Sequence, residues 1–133
     1  MTIKALSHKY YELLAKLYKN INSQNIKWTK AINAEYFSAE INFRFKMRIS
    51  RSVTNLASEY VFRLYDDGGI KIMEITTSQN GEDTVELDTG TIKIQDILEE
   101  IYEWARAYSL DIIEKIERAT ELLDTFAAGK KPK

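Results

Sequence analysis

The side chains that ordinarily carry catalysis or bind metals are few in this chain. It has no cysteine, so disulfides, zinc–thiolate sites and thiol nucleophiles are excluded. His8 is the only histidine, and the sequence offers it no metal-site or catalytic-triad partner. No phosphate-loop, dinucleotide-binding, zinc-protease or serine-hydrolase motif occurs. We therefore predict a protein that is not an enzyme, with no catalytic residue, metal or cofactor.

Acidic side chains are numerous, but they lack the spacing or the burial of reactive groups. Asp66-Asp67-Gly68-Gly69 followed by Glu74 does not have the ligand spacing of an EF-hand, and it favours a tight hairpin turn. Glu99 and Glu103 fall on the polar side of a helical pattern. Nothing there predicts the desolvation that tunes an acid or a base.

A basic row at Arg44, Lys46 and Arg48 is the sequence's clearest candidate for binding an anion. These side chains alternate with apolar ones and so share the outward face of a predicted strand. Modules that bind single-stranded nucleic acid also place aromatic rings on such a face. The phenylalanines of this segment fall on the opposite register, and Tyr65 is the one outward ring that we predict nearby. Nucleic-acid binding by this face is therefore an alternative function.

Charge is distributed unevenly although the formal net charge is −1. Residues 1–51 carry ten Lys/Arg against three Asp/Glu, whereas residues 95–124 carry three against nine. Such asymmetry is consistent with charged partners, with two halves that face each other, or with solvated faces of separate elements.

Length and composition indicate an ordinary globular chain. We predict a single domain over residues 1–128 and a disordered basic tail over residues 129–133. The N-terminus lacks the apolar core of a signal peptide, and no apolar run is long enough to span a membrane. A cytoplasmic location without membrane association is the expectation.

Hydropathy patterns place these groups on a succession of elements. Residues 4–21 have the period of an amphipathic helix, and Trp28 is expected to close one edge of the core. Strict alternation over residues 37–49 predicts one long strand with a buried face and a wet face. Strands at residues 59–65 and 70–77 follow, with a slip between Ile72 and Met73 that is typical of a bulge. After the turn signal Asn80-Gly81, residues 84–87 are a candidate fourth strand.

The last element is an apolar stripe that runs from Thr91 to Phe126 without Gly or Pro. An unbroken helix of this length would outreach a small domain. The helix must therefore project, pair with another chain, or break near Ser109, which is suited to cap a second segment. The chain as a whole predicts an α+β fold: an antiparallel β-meander of three to four strands, with an N-terminal helix and a long C-terminal helix, kinked near Ser109 in one alternative, on one face.

Aromatic residues widen the apolar stripe of this helix beyond a narrow seam, as protein interfaces favour. The same residues are equally suited to a core. The predicted interface consists of Ile101, Tyr102, Trp104, Ala105, Tyr108, Ile112, Ile113 and Ile116.

Several short segments also occur in a characteristic order. They are Leu13-Leu14-Ala15-Lys16-Leu17 in the first helix, Lys27-Trp28-Thr29 in the loop, Tyr60 to Gly69 in the meander, and Leu98 to Arg106 in the last helix. This order resembles a family of small, mostly uncharacterised prokaryotic proteins linked to mobile elements and to defence or conflict systems. The resemblance spans about residues 10–124. It implies a binding module, and it carries over no catalytic residue.

Three hypotheses follow. The first is a non-enzymatic interaction or regulatory module with a protein partner, which forms a homodimer through residues 97–126. The second is an immunity- or inhibitor-type protein that binds a basic partner through the acidic face of the same helix. The third is nucleic-acid binding by Arg44, Lys46 and Arg48.

Overall fold

The chain folds into an antiparallel five-stranded sheet with helices against one face and a small two-stranded sheet beside them. The computed structural model describes residues 3–22, 25–31, 35–54, 57–127 and 129. The helices are α1 (Ile3–Lys19), α2 (Thr77–Asn80), α3 (Ile94–Ser109) and α4 (Ile112–Ala127). The strands are β1 (Thr29–Lys30), β2 (Tyr36–Ile41), β3 (Phe45–Thr54), β4 (Ala57–Tyr65), β5 (Lys71–Thr76), β6 (Thr84–Leu87) and β7 (Gly90–Lys93). Apart from Gly129, the predicted tail lies outside the described residues.

The predicted α+β class is confirmed, but the meander has five strands, in the order β1-β2-β3-β4-β5, instead of three to four. The additional strands come from the N-terminal half of the sheet. The two-residue strand β1 pairs with β2, and the segment predicted as a single strand over residues 37–49 is a hairpin of β2 and β3.

Parity explains why strict alternation did not reveal this hairpin. Phe37 pairs with Ile49 and Ala39 pairs with Met47, so residues of odd number face odd-numbered partners on the same side of the sheet. The buried residues on both strands therefore remain at odd positions. The turn between the strands also contains no glycine that would have marked it in the sequence. Asn42 and Phe43 take the positive φ angles instead, at 50° and 61°.

The second hairpin agrees with its sequence signals. The carboxylate of Asp66 accepts hydrogen bonds from the backbone N–H groups of Gly68 and Ile70, both at 2.9 Å, and Gly69 takes a φ of 81°. The predicted bulge is present, since Leu64 pairs with Met73 and Tyr65 pairs with Lys71. Ile72 is the extra residue between them.

Residues 77–93 depart from the predicted path. The Asn80-Gly81 signal belongs to the short helix α2 instead of a hairpin, and the hydroxyl of Thr76 caps that helix by accepting from the backbone N–H of Gln79. Gly81 has an α-helical φ, and a Cβ there would clash with the carbonyl oxygen of Thr77. The strand at residues 84–87 is confirmed, but it pairs with β7 and is not part of the meander.

The core lies between the sheet and the helices. Helix α3 packs against β1, β2, β3 and β4, and it also contacts α1. We call the covered side of the five-stranded sheet its inner face and the opposite side its outer face. Trp28 is buried, as expected. The largest fully buried side chains are Leu14, Trp28, Met47, Ile49, Phe62, Ile75, Ile94, Ile97, Leu98 and Ile101.

The C-terminal apolar stretch breaks into two helices. Residues 90–93 form a strand, so the helical part begins at Ile94 instead of near Thr91. A break near Ser109, which was one of the alternatives, is present, but Ser109 ends α3 and does not cap α4. Asp111 takes a φ of 53°, and its carbonyl oxygen accepts from the backbone N–H of Lys115 at 3.0 Å. This left-handed residue turns the chain between the two helices.

Candidate functional site

The groups considered for catalysis or metal binding are dispersed. His8 is exposed on α1, and Glu99 and Glu103 are exposed on α3. Within the residues that the structure describes, no three side chains of His, Asp or Glu are grouped so that they could hold a metal ion. Asp66 satisfies backbone N–H groups of its own turn, which is its structural role.

The outer face of the sheet contains an aromatic–cation stack that the sequence reasoning found only in part. The guanidinium of Arg48 lies 4.6 Å from the ring centroid of Tyr36 and 4.6 Å from that of Tyr65. The three residues belong to β2, β3 and β4. Tyr65 was predicted to face outward, whereas Tyr36 was not considered, because it precedes the alternating segment. The signal that could have found Tyr36 was its even residue number, which places its side chain on the same face of the sheet as Arg48.

Near this stack is a recess of about 340 Å³ at the turn end of the outer face. Arg44 is exposed on the turn, and Lys46 is half-buried and pairs in register with Glu40 and Tyr65. Neither cation has an ion pair within the described part of the chain. The recess therefore combines the predicted basic row with rings. Its carboxylates, however, are equal in number to its cations: they are Glu40, Asp66 and Asp67.

In the next row of the outer face, two cations share one carboxylate. The Nε of Arg63 donates to Glu74 at 2.7 Å, and the Nζ of Lys71 lies 3.4 Å from the same oxygen. The hydrogen bond from Arg63 is the main reason that the pKa of Glu74 falls below its ordinary value, and Lys71 contributes to the same shift. Both cations are ion-paired, although the group keeps a net charge of +1. Within the described outer face, the cations without an ion pair therefore lie at the turn end.

The predicted interface divides into a buried part and an exposed part. Ile101, Tyr102 and Ala105 are buried in the core. The Tyr102 ring packs edge-on against Phe37 and Tyr60, with centroids 5.4 Å and 5.5 Å away. Trp104 is half-buried against the same core. These four residues of α3 therefore pack against the core of their own chain.

The exposed part lies at the end of α3 and along α4. The exposed fractions are 37% for Tyr108 and 60% for Ile116, while Leu123 and Phe126 reach 66% and 57%. Leu123 and Phe126 belong to the apolar stripe of the sequence, although they were not among the predicted interface residues. The side chains of Ile112 and Ile113 lie outside the described part of the structure. Among the elements, α4 has its principal contact with α3.

The sequence reasoning missed a groove because it missed the β2–β3 hairpin. This groove has a volume of about 1330 Å³ and lies between α1, the segment 25–29 and the hairpin. We call it the α1–hairpin groove. Its apolar lining includes Leu13, Ile26, Ile41, Phe43 and Tyr108. Its charged lining is formed by Lys16, Lys27, Lys46 and Glu40.

No helix within the described residues combines the length and the apolar character that a bilayer crossing requires. Comparison with protein-family models, with curated proteins and with solved structures gave no match to this chain. The resemblance to proteins of mobile elements and defence systems therefore stays a prediction.

Proposed function

We propose that this protein is a non-enzymatic interaction or regulatory module that self-associates through its C-terminal helix α4. The observation that supports the proposal is the exposed apolar side of α4, with Ile116, Leu123 and Phe126 all more than half exposed. These residues are spaced by seven and three positions, so they share one side of the helix. Apolar surface of this kind marks an interaction site when it is contiguous.

The uncovered apolar face of α4 supports the need for a partner. Most helix stability in proteins comes from packing an apolar face. Helix α4 has 16 residues and leaves most of that face uncovered. Association would supply the missing packing, and burial of a large apolar side chain contributes roughly 1.5–3 kcal/mol when it is complete.

Charge favours a second copy of the chain as that partner. Helix α4 contains four acidic residues and two basic ones, whereas residues 1–51 contain ten basic residues and three acidic ones. Each copy therefore offers the opposite charge to the α4 of another copy. Complementary potentials of this type orient partners and exclude wrong ones.

The test is the solution mass of the full chain, measured by light scattering behind a sizing column over a dilution series. We expect a dimer that dissociates on dilution. The double variant Ile116→Asp/Leu123→Asp should be a monomer with the far-ultraviolet circular dichroism of a folded sheet. Val53→Asp is the matched control, because Val53 is an exposed apolar residue on β3. A monomeric wild-type chain at every concentration, or a dimeric double variant, would refute the proposal.

Single-stranded nucleic-acid binding is a second candidate, favoured by the rings of Tyr36 and Tyr65 on either side of Arg48. Rings and guanidinium planes on an open sheet face are stacking platforms for unpaired bases. The equal number of cations and carboxylates in the recess argues for weak binding. A labelled oligothymidine or oligouridine strand should bind at low salt with an affinity that falls as salt rises.

Two variants on the same strand separate this candidate from general charge effects. Arg48→Ala should abolish binding, while Arg51→Ala should retain it, because Arg51 lies on the inner register against Tyr102. Equal affinities of the two variants, or no change in fluorescence anisotropy at low salt, would exclude the outer face.

A further inference from the structure

We propose that the α1–hairpin groove is the receptor for the α4 helix of a second copy. This inference rests on the proposed self-association and names the surface that α4 meets. It differs from a direct pairing of one α4 with another, because the helix of each copy would lie against the N-terminal half of its partner.

The groove has the apolar surface that an amphipathic helix requires. Ile41, Phe43 and Tyr108 line it and are exposed, and Leu13 and Ile26 are half-buried along it. A helix that binds in a groove uses anchors spaced by three, four and seven residues. The apolar stripe of α4 has this spacing, and its anchors are Ile116, Ala119, Leu123 and Phe126. With 16 residues, α4 is roughly 24 Å long at 1.5 Å per residue.

The charges of the two surfaces are opposite. Three lysines and one glutamate line the groove. Lys27 and Lys46 form no ion pair within the described residues, and Lys16 has only an exposed pair with Glu12. Helix α4, in contrast, has an excess of two acidic residues. The acidic residues that could meet the groove lysines are Glu114, Glu117, Glu121 and Asp124.

The position of α4 in its own chain favours a partner's groove over its own. Helix α4 begins four residues after Tyr108, but no α4 residue lines the groove, and the described side chains of α4 are exposed apart from the half-buried Thr125. To enter its own groove it would have to take another path at Leu110 and Asp111. In a dimer with two-fold symmetry, the α4 of each copy binds the groove of the other copy without this change. Both helices and both grooves are then occupied, so the assembly ends at two copies, as isologous assemblies do.

A complementation experiment tests the inference. One chain, the helix variant, carries Ile116→Asp and Leu123→Asp and keeps its groove. A second chain, the groove variant, carries Ile41→Asp and Lys27→Glu and keeps its helix. Each should be monomeric alone, with a dissociation constant raised roughly tenfold or more. An equimolar mixture should form a heterodimer, because one intact helix then meets one intact groove. Native mass spectrometry with one chain labelled with ¹⁵N measures this directly.

Controls keep the result interpretable. Val53→Asp with Lys9→Glu makes the same chemical changes at exposed residues that do not line the groove, and it should remain dimeric. If circular dichroism shows that Ile41→Asp unfolds the sheet, Phe43→Ser with Lys27→Glu replaces it, since Phe43 is on an exposed turn.

The outcomes separate this inference from the proposed function. If the groove variant dimerises like the wild type while the helix variant does not, self-association stands and the groove is not the receptor. If both variants are monomeric and the mixture stays monomeric, an intact helix does not bind an intact groove, and the inference is refuted. If the wild-type chain is monomeric and its α4 loses hydrogen-exchange protection in the groove variant, the helix occupies its own groove, which refutes both proposals.

Discussion

Helices α3 and α4 come from one apolar-patterned stretch and have the same length of 16 residues, but their apolar sides have different surroundings. Ile97, Leu98 and Ile101 of α3 are fully buried against the sheet. The corresponding side of α4 is largely exposed. The residue spacing is equivalent in both helices, so spacing does not account for the difference. It arises at Asp111, whose left-handed conformation directs α4 away from the surface that α3 covers.

Helices α3 and α4 show that a hydropathy pattern combines two separate properties. A periodic apolar stripe shows that one side of a helix needs apolar surroundings. Whether those surroundings belong to the same chain depends on where the preceding turn sends the helix. In this molecule the sheet provides enough surface for α3, and the remainder of the stripe extends beyond it.

The largest expected effect is the difference between two truncations of similar chemistry. Ile101→Ala removes a fully buried side chain of α3 and should lower the free energy of unfolding by about 2–5 kcal/mol. Leu123→Ala in α4 should change it by less than about 0.5 kcal/mol in the monomer, because the side chain is exposed. Denaturant titrations below the dimer dissociation constant measure both values. Equal losses would mean that α4 is part of the same core.

Hydrogen exchange should distinguish the helices without any substitution. Amides of α3 should open only with the whole domain, whereas those of α4 should exchange quickly in dilute solution, because few contacts hold that helix. Raising the protein concentration should protect α4 and leave α3 unchanged. Mass spectrometry of peptic fragments at two concentrations would show this, and protection of α4 that does not depend on concentration would contradict it.

A smaller effect concerns the link between α1 and α3. The hydroxyl of Tyr18 donates to the carboxylate of Glu100, and this hydrogen bond is the main cause that raises the pKa of Tyr18 from 10.0 to about 12. A raised pKa means that folding favours the protonated phenol. The stabilisation is complete below pH 10 and is lost as the pH rises towards 12.

Tyr18→Phe tests this link. Between pH 10 and 12, wild-type stability should fall towards that of the variant, and the two should differ most at neutral pH. The difference should be small because Tyr18 is only partly buried. Thermal unfolding at several pH values measures it; a gap that widens above pH 10 would show that the hydrogen bond is not its source.

The elements with local signals were predictable from the sequence. The Asp66 turn, the bulge at Ile72 and the buried Trp28 agree with expectation because each depends on neighbouring residues or on size. The β2–β3 hairpin was not predictable, since residue parity is the same on both strands and the turn residues Asn42 and Phe43 are unusual at positive φ. The groove depends on that hairpin and could not be foreseen without it.

The site residues show the same division between local and tertiary signals. The outward register of Arg48 follows from alternation, but its contact with Tyr36 requires the pairing of β2 with β3. For Tyr102 and Trp104, the sequence was equally suited to a core and to an interface. Packing against Phe37 and Tyr60 resolves that choice for Tyr102, and such packing depends on distant strands.

The turn residue Phe43 has a consequence for laboratory evolution of this protein. Its ring is 89% exposed, and its backbone adopts a conformation that costs an L-residue roughly 1–2 kcal/mol and glycine almost nothing. A selection for heat resistance alone should therefore enrich Phe43→Gly. The same substitution removes an aromatic ring from the edge of the α1–hairpin groove. If the groove receives α4 as proposed, heat resistance and dimerisation would favour different residues at this one position.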